Sequence, residues 1–435
     1  MTPLQQAHSK GERKVSQKRI YLRKVPRGRR LGLVARPTAE KRMGLTADAR
    51  TSYRERRLRR LGMEQMAAEQ RAAIPEQKDA FQRLGHVEAY VVNATHESID
   101  EEARELLEPD YVAVPNIELS IPTPQLSDRL SRRPRGAEFW PQESGVHTAR
   151  SQGITGDGAV VVVLDTGCDA DHLELRRKRI DFRYVPLEPS RDPMRPVRGF
   201  DTHGHGTHVC GIIAGENTGV APGVELMVAA VIESETHKTS LERVVVALDW
   251  VLSLFEQPAY VGKPIIVNMS LGFLPAWIDQ PDEAAVEEGM KVLLSTLVEF
   301  DVLPVVAIGN EGAGVMRAPG YYAEALAVGA VDSDRVSAWF SGGGLSPFTG
   351  EAKPDIAGYG VDVLSSLERD YRNRSQYAYM SGTSMAAPYV TGIAALVASA
   401  NPGLMGSGLR EELLGQAMPL PEDAERVGAG LARFV

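Results

Sequence analysis

Ser384 sits in the run Ser381-Gly382-Thr383-Ser384-Met385-Ala386-Ala387-Pro388, at the mouth of an apolar stretch, Tyr389 to Ala398, that reads as a buried helix. A serine at a helix start has backbone N–H groups and the positive end of the helix dipole beside its hydroxyl. Gly382 and the alanines leave room for a substrate backbone to come close. Most serines in such places only cap a helix. This one gains weight from what lies upstream.

A serine hydroxyl becomes a useful nucleophile when a neighbouring base takes its proton and a third group holds that base in one tautomer. Three of the nine histidines fall in His203-Gly204-His205-Gly206-Thr207-His208-Val209-Cys210-Gly211. Further upstream, Val160-Val161-Val162-Val163-Leu164 runs into Asp165-Thr166-Gly167. Four successive valines predict a strand buried on both faces, as in a parallel sheet. Asp165 then falls at the C-terminal end of its strand, where open α/β sheets carry their sites.

The same residues fit two other chemistries less well. Asp-Thr-Gly also marks enzymes that share one proton between two carboxylates, but these need two such loops, and no second copy is present. The spacing His203-x-His205-x2-His208 suits a metal only with a further ligand and an open position. His208 reads better as a helix-packing residue and His203 as a loop residue.

Five ordered blocks resemble the subtilisin-like serine proteases: Leu164 to Gly167, His205 to Val209, Asn268 to Gly272, Gly309 to Gly312 and Gly382 to Ala386. Their order, Asp then His then Ser, is that of subtilisin, and the resemblance covers about residues 138–435. It implies Ser384 as nucleophile, His205 as general base and acid, and Asp165 as the carboxylate orienting it. Asn310 matches the oxyanion-hole side chain, acting with the Ser384 N–H. Ser270, Leu271 and Gly272 match the strand that pairs with substrate backbone, with Phe273 replacing a small residue after it. Gly309 belongs to the facing wall. Arg317, before Ala318-Pro319-Gly320, falls at the base of the primary specificity pocket, which predicts a preference for an acidic side chain before the cut.

The resemblance further implies protein or peptide substrates and no cofactor in the chemistry. The loop Glu216-Asn217-Thr218-Gly219 is too short for the family's tight calcium site, while weaker surface calcium sites remain open. A rival reading is a binding protein with a dead protease domain, against which stand all three catalytic residues and Asn310.

The positioning elements follow from the rest of the chain. Strand-like runs at Val224–Val231, Pro264–Met269, Leu303–Ile308 and Ala325–Val331 alternate with helical segments such as Leu241–Phe255. This predicts an α/β fold, a mostly parallel sheet sandwiched by helices. Residues 1–119 are expected to form a basic region plus a small α+β, ferredoxin-like domain resembling the family's inhibitory propeptide. Its strand, helix and strand read at His86–Ala94, Ser98–Leu107 and Asp110–Asn116, with Ser98 and Glu101 as a capping box. A first strand near Ile20–Val34 and a helix over Thr46–Ala73 complete it. Residues 120–137 read as an exposed, Pro- and Arg-rich linker with the processing site, and 138–435 as the protease domain.

Charge is uneven. Residues 1–136 carry 27 Lys and Arg against 18 Asp and Glu, while 137–435 carry 22 against 39. The basic stretch Lys10–Arg60 could track nucleic acid, but a basic module docked on an acidic domain is the preferred reading, and no nucleic-acid partner is expected. No apolar run suggests a membrane partner. Met1–Leu22 lacks the apolar core of a signal peptide, so a cytoplasmic protein is expected, or one exported by a route without such a peptide. Cys168 and Cys210 read as buried small hydrophobes rather than a redox switch.

Overall fold

A computed structural model of the chain describes residues 18–24, 81–93, 97–107, 110–127, 140–189, 194–232 and 238–435. The expected helix over Thr46–Ala73, most of the basic stretch, and the capping-box side chain of Ser98 lie outside the described residues.

The centre is an eight-stranded sheet in the order β17-β14-β13-β12-β7-β10-β8-β9. Its strands are β7 (Val160–Asp165), β8 (Ile180–Tyr184), β9 (Arg195–Pro196), β10 (Glu225–Ala230), β12 (Ile265–Met269), β13 (Val302–Ala307), β14 (Leu326–Val331) and β17 (Ile356–Tyr359). All neighbours are parallel except β8 and β9. The four valines of β7 are fully buried because helices cover both faces. Val161 and Val163 face the cluster that includes helices His205–Ala214 and Thr383–Ala400. Val160 and Val162 face the cluster of helices Leu241–Ser253 and Gln280–Glu299. Helix Thr383–Ala400 is apolar and long enough to cross a membrane by composition alone, yet 89% of it is buried inside the protein.

Four antiparallel strands, in the order β2-β3-β1-β4, form a smaller sheet. They are β1 (Lys18–Arg23), β2 (Phe81–Leu84), β3 (Ala89–Asn93) and β4 (Tyr111–Pro115), with helix Glu97–Leu107 between the last two. One face packs Tyr21, Tyr90, Val92 and Tyr111 with Leu107. The other sends Ile20, Leu22, Val91, Val112 and Val114 into the cluster of helices Leu241–Ser253 and Gln280–Glu299. A Cβ at Gly289 would run into Val114, so the close approach of sheet and helix requires glycine there. Polar latches frame this contact: Lys18 Nζ reaches the buried carboxylate of Glu242 at 2.9 Å, and Asp249 Oδ1 accepts the N–H groups of His86 and Val87 at 2.7 and 2.9 Å.

Small pairings complete the structure. β5 (Glu118–Ser120) pairs with β11 (Lys238–Ser240). β6 (Gln125–Leu126) adds to β18 (Val363–Leu367) and β19 (Gln376–Ser381), and β15 (Gly344–Leu345) meets β16 (Ala352–Lys353).

Candidate active site

Asp165 ends β7 and His205 opens the helix His205–Ala214, and both side chains are fully buried. His205 Nδ1 lies 2.7 Å from Asp165 Oδ1, which also accepts the Thr166 N–H at 2.7 Å. A Cβ on Gly206 would overlap the carbonyl of Gly167. The histidine helix can therefore meet the turn after β7 only with glycine at its second position.

Asp201, which the sequence reading passed over, organises that helix start. Its carboxylate accepts the N–H groups of His203, Gly204 and Thr207 and the hydroxyls of Thr166 and Thr207, at 2.6 to 3.0 Å. The available signal was an acidic residue just before a helix, where it satisfies orphan N–H groups. His208 is a packing residue: its Nε2 meets the Ala378 carbonyl at 3.1 Å, and burial pulls its pKa down to about 3, so the ring stays neutral. Burial pushes the Cys210 thiol well up, which suits an inert buried residue; Cys168 is likewise buried and free.

Ser384 is the second residue of helix Thr383–Ala400, which packs against the histidine helix. Pro388 has no N–H to give the Ser384 carbonyl, as the ring removes that rung of the ladder. The Ser270 hydroxyl donates to this carbonyl at 3.4 Å instead, held by Asn268 Nδ2 at 3.2 Å, while Thr391 donates to Asn268 at 3.0 Å. Ser270 thus turns inward as a prop for the helix start, and Leu271 is buried in the core. Ser384 Oγ and His205 Nε2 are both buried without a hydrogen-bond partner among the described residues.

Asn310 follows β13. Its Oδ1 accepts both the N–H and the hydroxyl of Thr383, at 2.9 and 2.8 Å, so its NH2 faces away from the helix. Gly309, at φ +115°, donates its N–H to the same hydroxyl at 3.3 Å. The Asn310 NH2 donates at 3.1 Å to the carbonyl of Thr123.

That carbonyl belongs to a segment crossing the site. Ser120 exchanges both backbone hydrogen bonds with Gly272, at 2.8 and 2.9 Å, while β5 pairs on its other side with β11. Beyond Ile121-Pro122-Thr123-Pro124, Leu126 pairs with Met380 and Gln125 with Ser381. The sequence predicted an exposed linker from Ser120. The structure shows Ile121 and Pro122 buried and the backbone paired at Ser120, Gln125 and Leu126, while the side chains of Thr123, Gln125 and Leu126 are exposed; 128–139 lie outside the described residues. Two prolines separate the paired stretches at Glu118–Ser120 and Gln125–Leu126, where fixed φ and a missing N–H suit a backbone without a regular ladder.

Arg317 lies at the edge of this segment, only 6% exposed. Glu311 Oε1 accepts from its Nε and Nη2, at 2.8 and 2.6 Å, and its guanidinium lies 5.1 Å over the Trp277 ring. The guanidinium expected to meet an acidic substrate side chain is thus already ion-paired with Glu311.

Among the described residues, no group of three or more His, Cys, Asp or Glu is gathered to hold a metal. The short loop at 216–219 is held by hydrogen bonds, with Glu174 accepting the N–H groups of Asn217 and Thr218.

A buried imidazole with one nitrogen fixed on a carboxylate and the other unpartnered can take a proton, and a serine at a helix start can supply one. The comparisons agree with this chemistry. The sequence model described as the Subtilase family matches residues 156–430. The chain belongs to the subtilase family. This subtilase is a serine endopeptidase, and such enzymes need no catalytic cofactor.

Among its relatives is the subtilisin-like protease PopC of Myxococcus xanthus (strain DK1622), 43% identical over 379 residues, covering 84% of this chain and 79% of the relative. Subtilisin Savinase of Lederbergia lenta is 35% identical over 279 residues, covering 62% of this chain and 88% of the relative. An intracellular serine protease of Paenibacillus polymyxa is 32% identical over 318 residues, 70% and 86% of the two chains.

Proposed function

We propose that this subtilase cuts peptide bonds with Ser384, His205 and Asp165, and that it is made as an autoinhibited precursor. Ser384 Oγ attacks the scissile carbonyl while His205 Nε2 takes its proton. The developing oxyanion accepts from Asn310 Nδ2 and the Ser384 N–H. His205 passes the proton to the leaving amine, and the acyl-enzyme on Ser384 Oγ is released by a water that His205 deprotonates. Asp165 holds the Nδ1–H throughout and supports the imidazolium.

The observation that carries the catalytic reading is the fully buried 2.7 Å contact of His205 Nδ1 with Asp165, with Nε2 left for a substrate-side proton. Hydrolysis of an unstructured protein by wild type and by Ser384→Ala tests it. Loss of all cutting in the variant is expected; cutting equal to wild type overturns the reading.

The autoinhibited state is supported by residues 118–127, which follow the course a substrate would take by adding a strand to an open edge. Every peptide bond from Ile121 to Pro124 has a proline on one side. At the leaving nitrogen, proline presents a tertiary amide whose ring crowds the preceding residue. The segment is thus shaped to fill the cleft and to resist being cut there. The small four-stranded sheet, latched through Lys18 and Asp249, keeps it at high local concentration.

A further inference from the structure

Two contacts of Arg317 fall on the segment in the cleft. Its Nη1 donates to the Ser120 carbonyl at 3.2 Å and to the Ser120 hydroxyl at 3.0 Å. Ser120 is the third residue before Thr123, whose carbonyl meets Asn310. The guanidinium is otherwise held by Glu311 on Nε and Nη2 and by the face of Trp277. Arginine carries its donors in a rigid planar fork, so two of them gripped by Glu311 fix the direction of the third.

We propose that Arg317, aimed by Glu311 and Trp277, is a specificity-determining residue that selects a hydroxyl side chain three residues before the carbonyl bound at Asn310. Resting on the endopeptidase reading, this takes Ser120 as the intramolecular copy of the selected residue. The carbonyl contact is available to any substrate. The hydroxyl contact is not: alanine there leaves a nearly buried donor short of one acceptor, a loss that sites built for a hydroxyl exact steeply. Serine and threonine both present the acceptor. A carboxylate at this position meets a guanidinium whose charge Glu311 already balances, and Glu311 is itself a repelling neighbour. This reverses the acidic preference expected from Arg317 alone and moves its reach away from the residue at the cut.

The test uses the full chain and a set of peptides identical except for Ser, Thr, Ala or Asp at that one position, with cleavage read by mass spectrometry. The ratio of rates within one protein does not depend on how much of it has an open cleft. Wild type should cut the Ser and Thr peptides about 10-fold faster than the Ala peptide, the size of one charge-assisted hydrogen bond. Arg317→Ala should bring the ratio near 1, and Glu311→Gln should raise the rate for Asp. A wild-type ratio near 1, or one that survives in Arg317→Ala, overturns the proposal.

Should no peptide and no unstructured protein be cut, the endopeptidase reading is what fails. Hydrogen exchange on the Ser384→Ala chain then decides the Arg317 contact without activity. Exchange across residues 118–123 should quicken with Ser120→Ala and with Arg317→Ala, and no further with both. Unchanged exchange overturns the contact.

Discussion

The side-chain amide of Asn310 donates to the backbone carbonyl of Thr123 across 187 residues of sequence, at 3.1 Å. The other end of the same amide is fixed by Thr383, the residue before Ser384. One side chain therefore ties the serine helix to the segment around Thr123. For the proposed oxyanion role this matters, since the amide's orientation is set before any charge develops.

Replacing Asn310 by Ala should lower kcat by about 10²–10³, a magnitude measured on subtilisin, a member of the same family. The KM should change far less, because the lost interaction strengthens in the transition state. Steady-state kinetics on one peptide check this; a change confined to KM would count against the assigned role.

The prolines of the cleft segment make a second prediction. In wild type, N-terminal sequencing after long incubation should find no new terminus among residues 122–124, and any self-cutting should fall beyond Ser127. Replacing both Pro122 and Pro124 by Ala should open a cut between Ile121 and Gln125. A wild-type terminus at Pro122, Thr123 or Pro124 would refute the argument.

His86 gives the latch a pH dependence. Its Nδ1 lies 3.3 Å from Asp249 and its Nε2 3.4 Å from Glu256. The hydrogen bond to Asp249 raises its pKa above the usual 6.5, with the charges of Asp249 and Glu256 adding to this and burial opposing it. A raised folded pKa means the contribution is full below about 6.5 and fades as pH rises through the folded value. Full-length His86→Ala should thus hydrolyse peptides faster than wild type at pH 6, the gap closing toward pH 9. A gap independent of pH would show that the imidazole charge plays no part.

The places of Asp165, His205 and Ser384 were legible because each residue announces itself locally: a carboxylate ending a four-valine strand, a histidine opening a glycine-spaced helix, a serine before an alanine-rich one. The α/β sheet was legible for the same reason, as its buried strands are continuous apolar runs. Contacts between distant loops left no such mark. Glu311 and Arg317 pair within an irregular loop that has no period to read. Pro122 and Pro124 masked the short pairings on either side of them, and the inward turn of Ser270 follows from the N–H that Pro388 lacks. Asp201 holds the start of the His205 helix through backbone N–H groups, and its only mark in the sequence is an acidic residue just ahead of that helix.

Covalent labelling of the full chain with a fluorophosphonate, followed by peptide mapping, tests the central claim most directly. The account predicts a single adduct on Ser384, absent in Ser384→Ala and strongly slowed in His205→Ala. It also predicts labelling that speeds up when Ser120 and Leu119 are replaced to loosen the segment in the cleft. An adduct on any other serine, or labelling of Ser384 that is indifferent to His205, would contradict it.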